Sequence, residues 1–406
     1  MKHTNNRKLK SFLWLSLLCV GVILCIHIAP KMGSMTKLNR VDFPNGTSLF
    51  EPVYLKEAIQ YHKTNPVFSK RKITVFLIEK ASTTLAISLA DAFVLINYFL
   101  LFLHGILIYF ISKTLLCSEE NALRNILLYY VSFSIIFIFF PPIYSFDEPL
   151  HYFILLLTLL SFLKRYWFVG IVFLSLSCIV RESSLILLPF FVFYGWQNYK
   201  PKYSFLHVLP VVIVPCLVYL SYRIVVSDKG FSTHDELILR GTALKANFKN
   251  LSETTESLFS LCNTVIFPVV LLFRNLKKRK IVYEHKGYIN SIKWILLFNS
   301  TLVLVGMLAK ESRLFFLPML LLVPFYYFIY DELQATFTLE NFRVLFHSFY
   351  NRIIVIAMVI GCWVLSFNLF CSYFSLINEY CFLSSLVVAF YFLIELRVHR
   401  RKLDVA

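Results

Sequence analysis

The chain has 406 residues, 58% of them hydrophobic and 17% aromatic, with 42 Phe and only 16% charged residues. That composition, with a mean hydropathy of +0.69, excludes a soluble globular domain, a disordered chain and a collagen-like one, and indicates an all-α, polytopic membrane protein. The net charge of +17 belongs mostly to Lys and Arg that flank apolar runs, where they orient helices against an anionic leaflet, so no nucleic-acid partner is expected.

A basic N-terminus, Met1 to Lys10, leads into the apolar run 11–29. Pro30 stands where a signal-peptide cleavage site needs a small residue, so the run is read as an uncleaved first span. The first exported loop follows, 30–90 when its interfacial segments are included; Glu51 to His62 and residues 73–90 are expected to form helices lying along the membrane surface.

A spanning helix needs about 20 mostly apolar residues. Further candidates are 91–112, 125–143, 149–163, 167–180, 183–196, 205–226, 257–273, 291–309, 314–330, 353–373 and 378–395. About twelve spans result, or ten if 149–163 and 167–180 form a re-entrant hairpin. A second exported loop, 227–256, carries His234, Asp235, Glu236 and Arg240. Residues 1–406 are expected to form one integral membrane domain.

Lys and Arg in the short loops set the orientation. With both termini cytoplasmic, that side receives Arg7, Lys8, Lys10, Lys113, Arg124, Lys164, Arg165, Lys200, Lys202, the run Arg274 to Lys280, and Arg397 to Lys402. Lys70-Arg71-Lys72, on the exported side, counts against the rule. Three tight turns fall on that exported face: Asp147-Glu148, Arg181-Glu182 and Lys310-Glu311-Ser312-Arg313. Charge at membrane depth costs a few kcal/mol or more, so each turn asks for a partner or a function.

Asp147-Glu148, held between Pro141-Pro142 and Pro149, either caps a helix or belongs to a site. His151, one turn further in, reads as a hydrogen-bonded core histidine. Arg181-Glu182 is either a mutually neutralising pair or a phosphate contact in which Glu182 steadies the Arg181 fork. Lys310, Glu311 and Arg313 repeat that arrangement. In the first loop, Asp42 within Asn39-Arg40-Val41-Asp42-Phe43-Pro44 is a solvated carboxylate or a general base, with Glu51 and Glu57 as weaker rivals. The nine cysteines include no CxxC pair, and no Walker, GxGxxG, GxSxG, HExxH or DxD motif occurs. No metal and no cofactor are expected.

The layout of one helix, a long exported loop with an early acid, interfacial helices and a many-helix bundle resembles the GT-C superfamily of polytopic glycosyltransferases. The stretches 141–189 and 309–324 (AKESRLFFLPMLLLVP) carry the most specific likeness. The resemblance implies transfer of a sugar from a polyprenyl-phosphate carrier to a glycan or lipid acceptor at the outer face of the cell inner membrane. It implies Asp42 as catalytic acid/base and Arg181 and Arg313 as carrier-phosphate contacts, with Asp147, Glu148, Glu182, Lys310 and Glu311 beside them in the substrate site. The chain lacks a second acid beside Asp42. A surface-polysaccharide polymerase or ligase, and a transporter or flippase, are the alternatives.

Overall fold

The computed structural model describes residues 2–28, 52–64, 68–138, 146–198, 201–226, 241–279, 286–309, 311–369 and 375–405. Every element among them is helical. Helix α1 (Lys2–Ile28) is followed by two shorter ones, α2 (Pro52–Thr64) and α3 (Lys72–Leu85), close to the expected interfacial helices. Ala86, in the left-handed conformation at φ 52°, closes α3. Helix α4 (Leu89–Thr114) then opens two residues earlier than Asp91, because Ser88 takes the cap position and accepts from the Asp91 N–H.

Six stretches are long and apolar enough to cross a membrane: Leu89–Thr114, Val208–Val226, Leu251–Leu276, Gly287–Gly306, Phe349–Leu369 and Ile377–Arg397. A seventh arises if Ser312–Phe325 and Tyr327–Thr336, bent by 78° at Tyr326, count as one. Ser11–His27, Glu148–Leu163 and Trp167–Val180 are apolar but shorter.

Several expected spans are interrupted. The run 125–143 divides into α5 (Glu119–Tyr130) and a single turn, α6 (Phe133–Ile136), and 139–145 lies outside the described residues. After α7 (Glu148–Leu163) and α8 (Trp167–Val180), the run 183–196 opens as a 3-10 turn, Glu182–Leu187, before α9 (Leu188–Asn198). Helix α10 (Pro201–Val226) tolerates Pro210 and Pro215, as apolar helices do where neighbours satisfy the freed backbone. The described part of the second loop holds α11 (Ala243–Asn247); residues 227–240, including His234, Asp235, Glu236 and Arg240, lie outside the described residues.

Helices α12 (Leu251–Leu261) and α13 (Phe267–Arg279) are joined by a π turn, Cys262–Ile266. Helix α14 (Lys286–Gly306) precedes α15 (Ser312–Phe316), which continues as a 3-10 stretch, Leu317–Phe325, bearing Pro318 and Pro324, and then as α16 (Tyr327–Thr336). Helices α17 (Leu339–His347), α18 (Phe349–Val364) and α19 (Ser375–Val405) complete the chain.

Two contacts fix α1 antiparallel to α4. The ring of Phe12 stacks on Tyr109 at 4.1 Å, and His27 Nδ1 meets the Tyr98 hydroxyl at 2.6 Å. Gly105 permits the close approach, since a Cβ there would lie 2.1 Å from Ser16 Oγ and 2.8 Å from the Tyr130 hydroxyl. That hydroxyl accepts from the Gly105 N–H and donates to the Leu101 carbonyl, tying α5 to the pair.

These alternations bring the charged turns to one end of the bundle. Helix α7 leaves that end at Glu148 and α8 returns to it at Arg181, while α10 reaches it where the Tyr222 hydroxyl donates to the Lys70 carbonyl. At the opposite end, Arg124 pairs with Asp331 at 2.9 Å, and Arg274 contacts Glu332 and Glu395. Between them lies a core of large side chains, among them Tyr129, Tyr152, Phe162, Phe190, Phe191 and Phe315, each under 2% or at 2% exposed. In lipid such burial stabilises through packing, because the solvent is as apolar as the core.

Candidate functional site

Glu148 begins α7, where Pro149 presets the backbone for the first helical turn. Asp147 occupies the cap position without making a cap hydrogen bond. Both carboxylates are buried, at 0% and 1% exposure. Of the two readings that the sequence leaves open, side-chain capping is not realised at Asp147: both carboxylates turn inward to guanidinium groups.

Arg181 Nη1 lies 2.5 Å from Glu148 Oε1 and 3.8 Å from Asp147 Oδ2. Arg71, the residue before α3, reaches Asp147 Oδ2 at 3.4 Å and engages Glu182 with two donors, Nη2 at 2.6 Å and Nε at 3.2 Å. On the other side, Arg313 Nε lies 3.4 Å from Glu148 Oε1, and its Nη2 binds Glu311 Oε2 at 2.7 Å. The result is one alternating row: Glu182, Arg71, Asp147, Arg181, Glu148, Arg313, Glu311.

Arg181 and Glu182 form no direct ion pair with each other, and Glu182 binds Arg71 rather than Arg181. The backbone at Arg181 is extended, at φ −155° and ψ 123°, and an extended chain turns successive side chains to opposite sides. Glu311 and Arg313 do pair as expected. Asp42, Glu51 and Lys310 lie outside the described residues, and Glu57 is exposed.

Burial alone would raise the Glu182 carboxyl, but the Arg71 guanidinium outweighs it and holds the group far below the usual carboxylate range. Asp147 is likewise held down against its own burial by Arg181 and Arg71. Glu148 moves the other way, its burial raising the carboxyl against the pull of Arg181 and Arg313, so charge is held most firmly at Asp147 and Glu182, in a place where isolated ions are costly.

Against Glu148, Arg181 and Arg313 lies a narrow cavity of about 10 Å³, edged also by His151 and Asn299, room for about one water. His151 Nε2 meets Ser184 Oγ at 2.6 Å, as a core histidine should. Yet its Nδ1, with Glu148 Oε2 and Asn299 Oδ1, is buried with no hydrogen-bond partner among the described residues. A buried carboxylate oxygen left open beside guanidinium groups can accept from a hydroxyl or water brought into that cavity. No group of His, Cys, Asp and Glu suited to a metal ion occurs among the described residues.

Two contributors escape the sequence. Asn299 sits in an apolar helix with no local signal. Arg71 is hidden in a basic triplet that looks like a topological anchor, although the one Arg between two Lys is the residue suited to a buried, two-pronged carboxylate pair. Its engagement by Glu182 and Asp147 gives Arg71 a structural role other than anchoring a helix end. Compared with known proteins, the chain matches no family model, no curated protein and no solved structure.

Proposed function

We propose that the chain is a GT-C-like membrane glycosyltransferase that moves a sugar from a polyprenyl-phosphate-linked donor to a glycan or lipid acceptor. It acts at the extracytoplasmic face of the inner membrane, in cell-surface polysaccharide or glycolipid assembly, with about twelve crossings and both termini cytoplasmic. The observation that carries this reading is the row of Arg71, Arg181 and Arg313, gathered from distant stretches at one end of an apolar bundle beside an acceptor-lined cavity.

In the reaction, the bond between the anomeric carbon and the phosphate oxygen breaks and its electron pair leaves with the phosphate. A new bond forms from that carbon to the acceptor oxygen, whose proton passes to Asp42. Arg313 and Arg181 stabilise the departing phosphate charge, with Arg313 exchanging Glu311, the more exposed carboxylate, for a phosphate oxygen. Neither a metal nor a cofactor enters this scheme.

The test is to profile lipid-linked glycans in the host with Asp42→Asn and Arg313→Lys in place of the native chain. Accumulation of the unconsumed donor is expected for both; a normal product profile in both would overturn the proposal. The interruptions at Ser132, Cys262–Ile266 and Tyr326 favour a transporter as the second reading, because broken helices are the usual material of transport sites. A transporter would move a solute across vesicles bearing the purified chain and leave the lipid-linked donor pool unchanged.

A further inference from the structure

A second cavity, distinct from the one beside the ion-pair row, is bordered by Phe316 of α15. Its volume is about 150 Å³, a size that holds a six-membered ring. Phe133, Phe267, Phe316, Tyr326 and Tyr380 supply aromatic faces, while Ser132, Ser134, Asn263 and Thr264 supply uncharged polar groups. Among the described residues, no acidic or basic side chain lines it.

Three separate helical runs break where they border this cavity. The α5–α6 run is interrupted at Val131-Ser132. The α12–α13 run passes through the π turn Cys262–Ile266 and then meets Pro268, which brings no N–H to the ladder. The α15–α16 run bends by 78° at Tyr326. Broken backbone within an apolar layer leaves polar groups that cost several kcal/mol each unless they face a cavity that satisfies them, and π turns recur at functional sites.

The side chains agree with the backbone. Thr264 Oγ1 is buried with no hydrogen-bond partner among the described residues, although a helical Thr ordinarily turns back to its own ladder. The Tyr380 hydroxyl donates to the Val131 carbonyl at 3.3 Å, and Ser134 Oγ donates to Ser312 Oγ at 3.1 Å. The wall is thus tied to α15, the helix that also carries Arg313.

We propose that this cavity binds one neutral, hydroxylated ring, a single sugar residue of the lipid-linked substrate, stacked on the aromatic faces and hydrogen-bonded through Thr264 and the neighbouring uncharged groups. Aromatic faces with a few neutral donors and acceptors suit such a ring and exclude a charged one. The identification of the ring as part of a lipid-linked donor rests on the function proposed above; the site for a neutral ring does not.

The test uses the full chain in detergent and compares binding of farnesyl-phosphate-linked glucose, galactose and N-acetylglucosamine with that of bare farnesyl phosphate and the free sugars, read by thermal shift. Thr264→Phe fills the cavity, and Phe133→Ala removes a stacking face without filling it, so one variant remains informative should the other fail to fold. At least one sugar-bearing probe is expected to bind the wild type more tightly than bare farnesyl phosphate, and both variants are expected to erase that increment while binding the bare phosphate as before. A sugar increment that survives both variants would overturn the cavity proposal and leave the function proposal standing. Binding of a free sugar that the variants abolish, with no binding of any farnesyl probe, would uphold the cavity and sink the lipid-linked donor.

Discussion

Each end of the bundle carries a network of arginines and carboxylates, and the two are built differently. At the end bearing α16 and the close of α13, Glu332 is buried but both its oxygens are occupied. Oε1 receives Arg274 Nε at 3.1 Å and the Tyr391 hydroxyl at 3.2 Å, and Oε2 receives Asn275 Nδ2 at 3.4 Å. Arg274 itself is 39% exposed. At the end bearing Arg71 and Arg181, the arginine side chains are 9% and 7% exposed, yet Asp147 Oδ1 and Glu148 Oε2 lack partners among the described residues. In the first network both carboxylate oxygens are taken up in a tie between helices, and the open atom is the uncharged amide oxygen of Asn275. The second is charged, deeply placed and left with open acceptors, which is how a site differs from a brace.

The sharpest way to break this contrast is to remove the central cation of each network. Arg181→Ala strands Asp147 and Glu148 as buried, poorly compensated anions, and the loss is expected to be about 3–5 kcal/mol, the usual penalty for breaking a buried pair on one side. Arg274→Ala leaves Glu332 its Tyr391 and Asn275 donors and removes a cation already in contact with solvent, so about 1 kcal/mol is expected. Denaturation midpoints of the two variants in the same detergent measure the difference. Equal losses would mean that the two networks are equivalent braces.

The spacing of charges between apolar runs was enough to group the three turns, which the structure brings together at one end of the bundle. At that end the Glu311–Arg313 pair was legible, but the pairing of the other two turns was not. Arg181 and Glu182 are neighbours in sequence, but the extended backbone between them sends one to Glu148 and the other to Arg71, 111 positions away. The run 314–330 also read as one apolar helix, whereas Pro318 and Pro324 set within it accompany a 3-10 stretch and the bend at Tyr326. Composition identifies apolar length; it does not show where that length is broken.

Acid distinguishes the networks more gently. Asp147 and Glu182 are held below their ordinary values, so their contribution is complete above the unfolded-state values of about 3.9 and 4.3. It declines as pH falls below those values and vanishes once pH passes the lower folded ones. The melting temperature gap between wild type and Glu182→Gln should therefore be constant from pH 7 to pH 5 and narrow between about pH 4 and pH 3. A gap unchanged down to pH 3 would show that Glu182 stabilises by shape alone and that its charge is irrelevant.

The smallest expected change in stability tests whether the inner network is a site at all. Glu311 is 32% exposed and closes the row by binding Arg313, so its loss should lower stability by less than about 1 kcal/mol. If Glu311 merely completes a brace, Glu311→Gln does nothing else. If it occupies the place of a phosphate oxygen on Arg313, the same change removes a competing anion and turns the formal balance of the row from four carboxylates against three guanidinium groups to three against three. Inorganic pyrophosphate and farnesyl phosphate should then bind several-fold more tightly to the variant than to the wild type, with the gain reduced by salt because Arg313 lies at the edge of the row. Unchanged or weaker binding would remove Arg313 as a phosphate contact, leaving Arg181 and the open atoms of Glu148, His151 and Asn299 to receive a ligand from the cavity.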